Sequence, residues 1–444
     1  MNLFWQRLLG RMMTTTKMEA HLAGLAADYK RYVSVQQSKE LAEYRELFHR
    51  VKSADFKEKK RTLVHRKYKD TQEYRDITKF HHLTNNKKII LYNQTLQSPL
   101  LADYLAFRTS SEYELLSNSA ALKKSPDLAR LRKFERSKEY KNYIRFHNSY
   151  IISELEELAK KVSTDDFKVS TDFWSDSQRW IKTSEYAEEK RFNELAANED
   201  IKFFENTDAK QFEFFAKYTR VFTDSFDWNT LNASRWESGF NYVNDKLIGN
   251  HSFTNEKQAN NKGENVSVVN GQLHIQTKKE EVTALAWDKK LGFVNHHFDF
   301  TSDVIHGTHA VCQEGGVFRA KMRFTGHDLS HAFWLSSKHI IPHINIALCD
   351  GKAIEVGVHW TTKFEKKYTA SKITGLSVGD YYIYSLEWTK QELIWSINNV
   401  EIFRTSDGVP AEALFPMFSS FIANKQKGGE GMLQVDWIEV YSAQ

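Results

Sequence analysis

The chain has 444 residues, two cysteines and a formal net charge of +5. This length suffices for two or three domains with ordinary cores, and two cysteines exclude a disulfide framework. No segment approaches the roughly 20 apolar residues of a membrane-spanning helix. Arg7 and Arg11 interrupt the first apolar run. We therefore expect an amphipathic first helix and a protein that is cytoplasmic or otherwise lacks a classical export signal.

The charge differs between the two halves of the chain. Residues 217–444 hold 23 Lys and Arg against 25 Asp and Glu, a net charge of −2. The totals leave 39 and 32 for residues 1–216, a net charge of +7. Acidic and basic residues alternate in the basic half, which is typical of solvated helix surfaces. We therefore expect no nucleic-acid partner.

The distribution of glycine predicts the domain organisation. Residues 1–238 contain only Gly10 and Gly24, and the other 17 of the 19 glycines lie from Gly239 onward. Helices disfavour glycine, whereas sheets joined by many turns need its positive φ. The sequence therefore predicts a multidomain α plus β protein, with an all-α repeat or bundle at 1–216 and a β-sandwich at 217–444.

A short motif recurs in the helical half: aromatic-x-x-Ser/Thr-x-Glu-Tyr. Its copies begin at Tyr68, Phe107, Phe134 and Trp180, and a weaker copy begins at Val35. We expect each Ser or Thr to cap a short helix whose Tyr packs inward. Ser98-Pro99 and Ser125-Pro126 precede two copies and predict helix starts with a capping serine followed by proline in the first turn. Such units either stack as a scaffold that binds a partner or itself, or form a plain bundle.

Period-two alternation predicts strands in the second half, which opens at about Val221. Asn270-Gly271 between Val266–Val268 and Leu273–Ile275 is a strong hairpin signal. Further predicted strands are Gly316–Phe324, Ala332–Leu335, Ile344–Leu348, Ala353–His359, Tyr381–Trp388, Leu393–Ile397, Glu401–Arg404 and Leu433–Tyr441. This number of short strands is typical of a sandwich. We expect Trp334, Trp388 and Trp437 in its core.

Seven landmarks occur in a consistent order in this half. They are Phe222–Phe226, Asn255-Glu256 with Asn265-Val266 and Gly271–Leu273, Gly316–Lys321, Ala332–Leu335, His359-Trp360, Tyr384–Trp388 with Ile394-Trp395, and Val435–Tyr441. Together they resemble the laminarinase-type domains of glycoside hydrolase family 16. The resemblance covers roughly residues 221–441 and implies a concanavalin A-like β-jelly roll. The first half resembles no family that we recognise.

The active strand of that family reads Glu-Ile-Asp-Ile-x-Glu. Residues i and i+2 share one face of a strand, and one bulge brings i+5 to the same face. The outer two acids then act as nucleophile and general acid/base about 5 Å apart. In register, this chain has His343, Asn345 and Leu348 at those positions, or Ala347 last in a strand without a bulge. We therefore expect no catalytic residue and no cofactor.

The resemblance also implies cleft-lining residues. By position these are Trp360, His359, Arg319 and Asn255, which we predict as carbohydrate-binding. The histidines at 331, 339, 343 and 359 have spacings unlike those of known metal ligand sets, so we expect no metal.

Three functions remain open from the sequence. The first is a non-catalytic, family-16-like module on a helical scaffold that binds a glycan or a protein partner through its cleft. The second is an active glycan endo-hydrolase with unusual site chemistry. The third is a structural component of a larger complex. The expected lack of an export signal favours the first and third interpretations.

Overall fold

The computed structural model describes residues 2–116, 126–242, 246–363 and 365–444. The chain forms two compact units. The helical unit comprises residues 34–206, and the jelly-roll unit comprises residues 1–33 together with 207–444. No helix in the described ranges is long and apolar enough to cross a membrane.

Helices occupy almost all of the described chain up to residue 217, as the glycine distribution predicts. The α-helices are α1 (Phe4–Leu8), α2 (Thr15–Gln36), α3 (Lys39–Lys52), α4 (Ala54–His65), α5 (Gln72–Thr84), α6 (Lys87–Leu96), α7 (Pro99–Arg108), α8 (Ser111–Leu116), α9 (Pro126–Glu135), α10 (Lys138–Phe146), α11 (Tyr150–Ser163), α12 (Asp165–Ser175), α13 (Ser184–Ala197), α14 (Glu199–Asn206), α15 (Glu213–Lys217) and α16 (Lys246–Gly249). Short 3-10 helices lie at Tyr68–Asp70, Arg179–Lys182 and Ala209–Phe212.

The recurring motif caps helices as predicted at four of its copies, whereas at the Phe107 copy the Ser110 hydroxyl donates to the Phe107 carbonyl and Tyr113 is exposed. The hydroxyls of Ser38, Thr71, Ser137 and Thr183 accept a hydrogen bond from the backbone N–H three residues later, at 3.1–3.3 Å. The motif's aromatic residue packs against its Tyr, with ring centroids 5.3–6.3 Å apart at Tyr68–Tyr74, Phe134–Tyr140 and Trp180–Tyr186. Each copy is therefore a local turn that joins two helices.

The two Ser-Pro sequences agree with the prediction only in part. Pro99 stands in the first turn of α7, and Ser98 occupies the N-cap position without a capping hydrogen bond from its side chain. Ser125 lies outside the described residues, while Pro126 begins α9. At Ser98 the prediction of the helix start is confirmed, and the prediction of a capping side chain is wrong.

Eighteen strands are described, including the predicted hairpin. They are β1 (Tyr218–Asp224), β2 (Glu237–Ser238), β3 (Ser252–Phe253), β4 (Gln258–Asn260), β5 (Val266–Val269), β6 (Gln272–Asp288), β7 (Gly292–Ser302), β8 (Val304–His306), β9 (Gly316–Gly326), β10 (Ser330–Ser336), β11 (His343–Cys349), β12 (Ile354–Thr361), β13 (Lys366–Ile373), β14 (Tyr382–Trp388), β15 (Leu393–Ile397), β16 (Val400–Thr405), β17 (Phe415–Phe421) and β18 (Gly431–Ala443).

The strands form two mainly antiparallel sheets, which confirms the predicted sandwich. One sheet has the order β16-β15-β14-β9-β18-β6-β7-β4, with β1 beside β18 and with β3 and β5 beside β6. The other has the order β13-β12-β11-β10-β17-β8-β2. Period-two alternation sends one side of most strands into a shared apolar core. We call the second sheet the cleft sheet, because its other face carries the site described below.

The N-terminal residues belong to the jelly-roll unit, so the division differs from the predicted boundary between residues 216 and 217. Leu3 and Met12 are buried in the sandwich core. The Glu19 carboxylate on α2 accepts hydrogen bonds from Lys321 Nζ and from the indole N–H of Trp437. Glycine content reports secondary structure, and it therefore could not reveal a helical segment that packs on the sheet.

The three tryptophans expected in the core have different places. Trp388 is buried in it. Trp334 is buried on the opposite face of the cleft sheet, in a smaller cluster with Ala332 and Met417. Trp437 is only partly buried, and its indole donates to Glu19. The prediction is confirmed for Trp388 and wrong for Trp437, whose polar edge needs a partner.

Candidate functional site

A bulge in β11 sets the positions of the three residues that replace the family's acids. The pairing of β11 with β12 is interrupted between Asn345 and Leu348. Ile346 and Ala347 consequently both face the core. His343, Asn345 and Leu348 face the cleft together. The register with a bulge is therefore the correct one, and Leu348 takes the third position.

The cleft face holds a cavity of about 310 Å³, which we call the cleft pocket. Its lining combines aromatic rings with a few polar groups, the usual composition of a small-molecule site. The lining residues are Phe240, Tyr242, Phe253, Glu256, Gln258, Asn260, Val304, Ala332, Trp334, Ile340, His343, Asn345, Leu348, Ser419, Ser420 and Phe421. The floor of the cleft is therefore not filled by its own side chains.

His343 is fixed as a neutral imidazole. Its Nε2 lies 2.7 Å from Asn345 Oδ1 and donates to it, and its ring stacks on Trp334 at 4.4 Å between centroids. Burial, together with nearby His359, lowers the pKa of His343 to about 4, against the opposing hydrogen bond with Asn345. At neutral pH this residue therefore brings no charge to the pocket.

Glu256 brings a carboxyl group to the opposite wall. Gln258 on β4 is buried, accepts from the backbone N–H of Ile422 and donates to Glu256 Oε2, both at 2.6 Å. Burial raises the pKa of Glu256 to about 7, although the Gln258 hydrogen bond opposes the shift. Glu256 is the sole carboxyl group among the described lining residues. Its charge therefore changes near neutral pH.

The four predicted carbohydrate-binding residues do not come together. His359 lies beside the pocket on β12, with its ring 5.4 Å from that of His343 and stacked on Tyr368. Asn255 is exposed on the turn before Glu256. Trp360 points to the other face of the same strand and packs against the sandwich core. Only His359 and Asn255 are near the expected place.

Arg319 lies in the other sheet, and the structure corrects its expected position in the cleft. It donates to Glu439 from Nε at 2.8 Å, and its guanidinium lies 5.4 Å from the ring of Phe214. Because neighbouring residues of a strand face opposite sides, Val317, Arg319 and Lys321 point away from the core that Phe318 and Ala320 enter. Arg319 therefore belongs to the face opposite the cleft.

The cleft histidines do not form a ligand cluster in the described part of the chain. No group of three or more His, Cys, Asp or Glu side chains there is arranged to hold a metal ion. His331 bonds through Nδ1 to the Ser420 hydroxyl at 2.7 Å and donates from Nε2 to the Thr325 carbonyl at 2.9 Å. Those two hydrogen bonds give His331 a structural role.

Sequence reasoning missed the main wall of the pocket. Phe240 and Tyr242 stack at 5.1 Å, and Phe253 meets Phe240 edge-on at 5.5 Å. From the sequence, Glu256 is only one of the landmarks of the family resemblance, and no role is predicted for it. The rings at positions 240, 242 and 253 lie in loops and a two-residue strand, where periodicity gives no signal. Only the folded arrangement brings them to Glu256.

Comparison with known proteins gives structural likeness alone. No protein-family model matches the chain, and no curated protein matches it. Among solved structures, LamAcat from Zobellia galactanivorans is similar, with 18% identity and a TM-score of 0.42 over 50% of this chain and 98% of that one. The catalytic domain of an endo-1,3-beta-glucanase (laminarinase) from Thermotoga petrophila RKU-1 has 18% identity and a TM-score of 0.41 over 52% and 99%.

A third similar structure is SCLam, a non-specific endo-beta-1,3(4)-glucanase from family GH16. It is 19% identical, with a TM-score of 0.42 over 52% of this chain and 92% of that one. SCLam belongs to the family that the sequence motifs resemble, and each of the three structures aligns with about half of this chain. Identities and TM-scores of this size describe architecture and say nothing about activity.

Proposed function

We propose that the jelly-roll unit is a non-catalytic glycan-binding module. One observation carries this proposal: the cleft keeps a ligand-sized pocket while His343, Asn345 and Leu348 occupy the positions of the family's acids. Hydrolysis with retention or inversion uses two carboxyl groups flanking the bond. The described lining supplies one, Glu256. Aromatic walls and fixed polar groups are what glycan binding without hydrolysis requires.

The proposal is tested by measuring binding and hydrolysis on the same glycans. Laminarin, lichenan, agar-type and carrageenan-type polymers serve as the panel. We expect retardation of the protein in affinity electrophoresis on at least one polymer, and no release of reducing ends from any. Release that H343A abolishes would refute the non-catalytic interpretation. No retardation on any polymer of this panel, together with no binding of the oligosaccharides described in the next subsection, would refute glycan binding.

A matched pair of variants locates the binding site. Tyr242 lines the pocket, whereas Trp228 is an exposed aromatic residue of the same unit outside the pocket lining. We expect Y242A to abolish retardation and W228A to leave it unchanged. The reverse result would place glycan binding on another surface.

A second candidate function is hydrolysis with Glu256 as general acid. It is favoured by the pKa of Glu256, about 7, because an acid that titrates near the working pH transfers protons efficiently. This candidate requires reducing-end release that E256Q abolishes. The candidate fails if wild-type protein releases no reducing ends from glycans that it binds.

A further inference from the structure

The described lining of the cleft pocket contains an acidic side chain and no basic one. Its described lining holds the Glu256 carboxyl and the neutral imidazole of His343, and no Lys or Arg. The neighbouring Lys257 points elsewhere, since its Nζ donates to the Gln426 carbonyl at 2.6 Å. A sulfated or carboxylated sugar would place its charge beside Glu256 without a cation to balance it. The pocket therefore disfavours anionic glycans.

The aromatic walls favour the opposite charge. Phe240, Tyr242, Phe253 and Trp334 line the pocket, and aromatic faces attract ammonium groups through the ring quadrupole. The indole N–H of Trp334 is already bonded to the Ser419 hydroxyl at 3.1 Å and its ring stacks on His343, so this side chain adds apolar surface to the wall and no free donor. A carboxylate beside several aromatic rings is the arrangement that binds an amine.

We propose that the cleft pocket binds a cationic sugar, a glucosamine-type unit whose amine is not acetylated, with Glu256 as the counter-charge. This inference rests on the proposed glycan-binding function and specifies the ligand class of the same site. The ammonium group would lie between the Glu256 carboxylate and the aromatic wall, while the sugar ring covers the apolar floor formed by Leu348 and Ala332.

The position of Glu256 supports the pairing. Gln258 is held by the Ile422 backbone and orients the carboxyl through a 2.6 Å hydrogen bond to Oε2. The described structure places no Lys or Arg within ion-pair distance of Glu256. Burial without a cation raises the pKa of Glu256 to about 7, and a bound ammonium would restore the ionised form. Without a ligand, the ionised form of Glu256 therefore has no cation beside it in the described structure.

The test is isothermal titration calorimetry at pH 7 with four matched β-1,4-linked tetrasaccharides. They are the glucosamine tetramer, its N,N,N-trimethylated form, its N-acetylated form and cellotetraose. We expect the two cationic tetramers to bind at least tenfold more tightly than the acetylated and neutral ones. The trimethylated form keeps its charge at every pH, so its binding reports the protein's ionisation alone.

Two variants assign the preference to Glu256. E256Q keeps an acceptor for Gln258 and removes the charge, and we expect it to weaken cationic binding about tenfold relative to cellotetraose binding. E401Q removes an exposed carboxylate on β16 of the other sheet and serves as the control. Thermal unfolding of E256Q at pH 7, at or above the wild-type temperature, excludes loss of fold as the cause.

The outcomes separate this inference from the proposed function. Equal binding of all four tetramers would overturn the charge preference and leave glycan binding standing. A cationic preference that survives in E256Q would also overturn the inference, because the recognising group would lie elsewhere. Failure of every tetramer, together with no retardation on the polymer panel, would refute the proposed function and the inference with it.

Discussion

Glu439 and Glu256 are carboxyl groups on the two sheets of one sandwich, and their surroundings are opposite. Glu439 on β18 faces Arg319 at 2.6 Å and Arg220 at 2.8 Å. Burial alone would raise the pKa of Glu439, but Arg319, Arg220 and Tyr441 outweigh it and lower the pKa. Glu256 has the Gln258 amide as its hydrogen-bond partner, and its pKa rises to about 7.

The difference separates a carboxylate that is paired with cations inside the fold from a carboxyl group that is not. A carboxylate that meets its cation within the fold contributes to stability and offers nothing to a ligand. A carboxyl group that is partly buried without a cation destabilises the fold when it ionises, and such groups cluster at functional sites. The sequence resemblance placed Arg319 in the cleft. The ion pair with Glu439 instead makes it part of the structural face.

The largest expected loss of stability comes from breaking the ion pair between Arg319 and Glu439. E439Q leaves the guanidinium of Arg319, 11% exposed, without its carboxylate. Removing one partner of a buried ion pair costs about 3–4 kcal/mol of unfolding free energy. Urea unfolding at pH 7 measures the change. The double variant R319M/E439L should recover most of the loss, and a loss below about 1 kcal/mol in E439Q would equate this pair with an exposed one.

Glu256 and His343, two titratable residues of the cleft pocket, predict opposite dependences of stability on pH. This is the next largest expected effect. The folded protein holds Glu256 at a pKa of about 7 against 4.5, so the group lowers stability as pH rises from 4.5 to 7. It holds His343 at about 4 against 6.5, so that group lowers stability as pH falls from 6.5 to 4. Each shift corresponds to roughly 3 kcal/mol.

Two variants resolve these slopes. E256Q should exceed wild-type stability above pH 7 and match it below pH 4, where the carboxyl is protonated in both folded and unfolded chains. H343N should flatten the loss of stability on the acid side, with His331 retained as an internal reference whose pKa burial also lowers to about 4. Urea unfolding at pH 4, 5.5, 7 and 8 measures both. A constant offset of E256Q from wild type across this range would contradict the raised pKa.

Much of the fold follows from local physics and is therefore predictable. The capping hydroxyls at Ser38, Thr71, Ser137 and Thr183 act within three residues, so sequence spacing alone identifies them. The Asn270-Gly271 turn determines its hairpin in the same way, because both residues adopt positive φ. Such signals do not depend on what lies across the core.

Only part of the site could be predicted, because several of its residues come together through contacts between distant parts of the chain. Family register placed His343, Asn345 and Leu348 on one face, and the bulge confirms that placement. Phe240, Tyr242 and Glu256 reach the pocket from connections between strands, where no period constrains side-chain direction. Trp360 illustrates the same limit within a strand, because a shift of one residue moves a side chain from cleft to core.

A third carboxylate, Glu19 on α2, tests whether residues 1–33 contribute to the jelly-roll unit's stability. It accepts from Lys321 Nζ at 2.9 Å and from the Trp437 indole at 2.9 Å. Lys321 also pairs with Asp436 at 2.9 Å, so it is not left alone in E19A. We expect a loss of about 1.5–2 kcal/mol, the lower end of the range for a hydrogen bond to a charged group, because Glu19 is partly exposed. E40A on the exposed side of α3 is the control, and equal stability of the two variants would contradict the contact.

The smallest expected loss of stability is that of an exposed ion pair, Arg404 with Glu392. Its contact distances are similar to those of the buried Arg319–Glu439 pair, so the two pairs differ mainly in burial. Arg404 donates to both carboxylate oxygens of Glu392 at 2.8 Å, similar to the 2.6 and 2.8 Å contacts of Arg319 with Glu439. Its side chain is 47% exposed, against 11% for Arg319. Water and salt screen the exposed pair, so R404A should lose less than about 1 kcal/mol in urea unfolding. A loss matching that of E439Q would show that contact geometry, and not burial, determines the strength of these pairs.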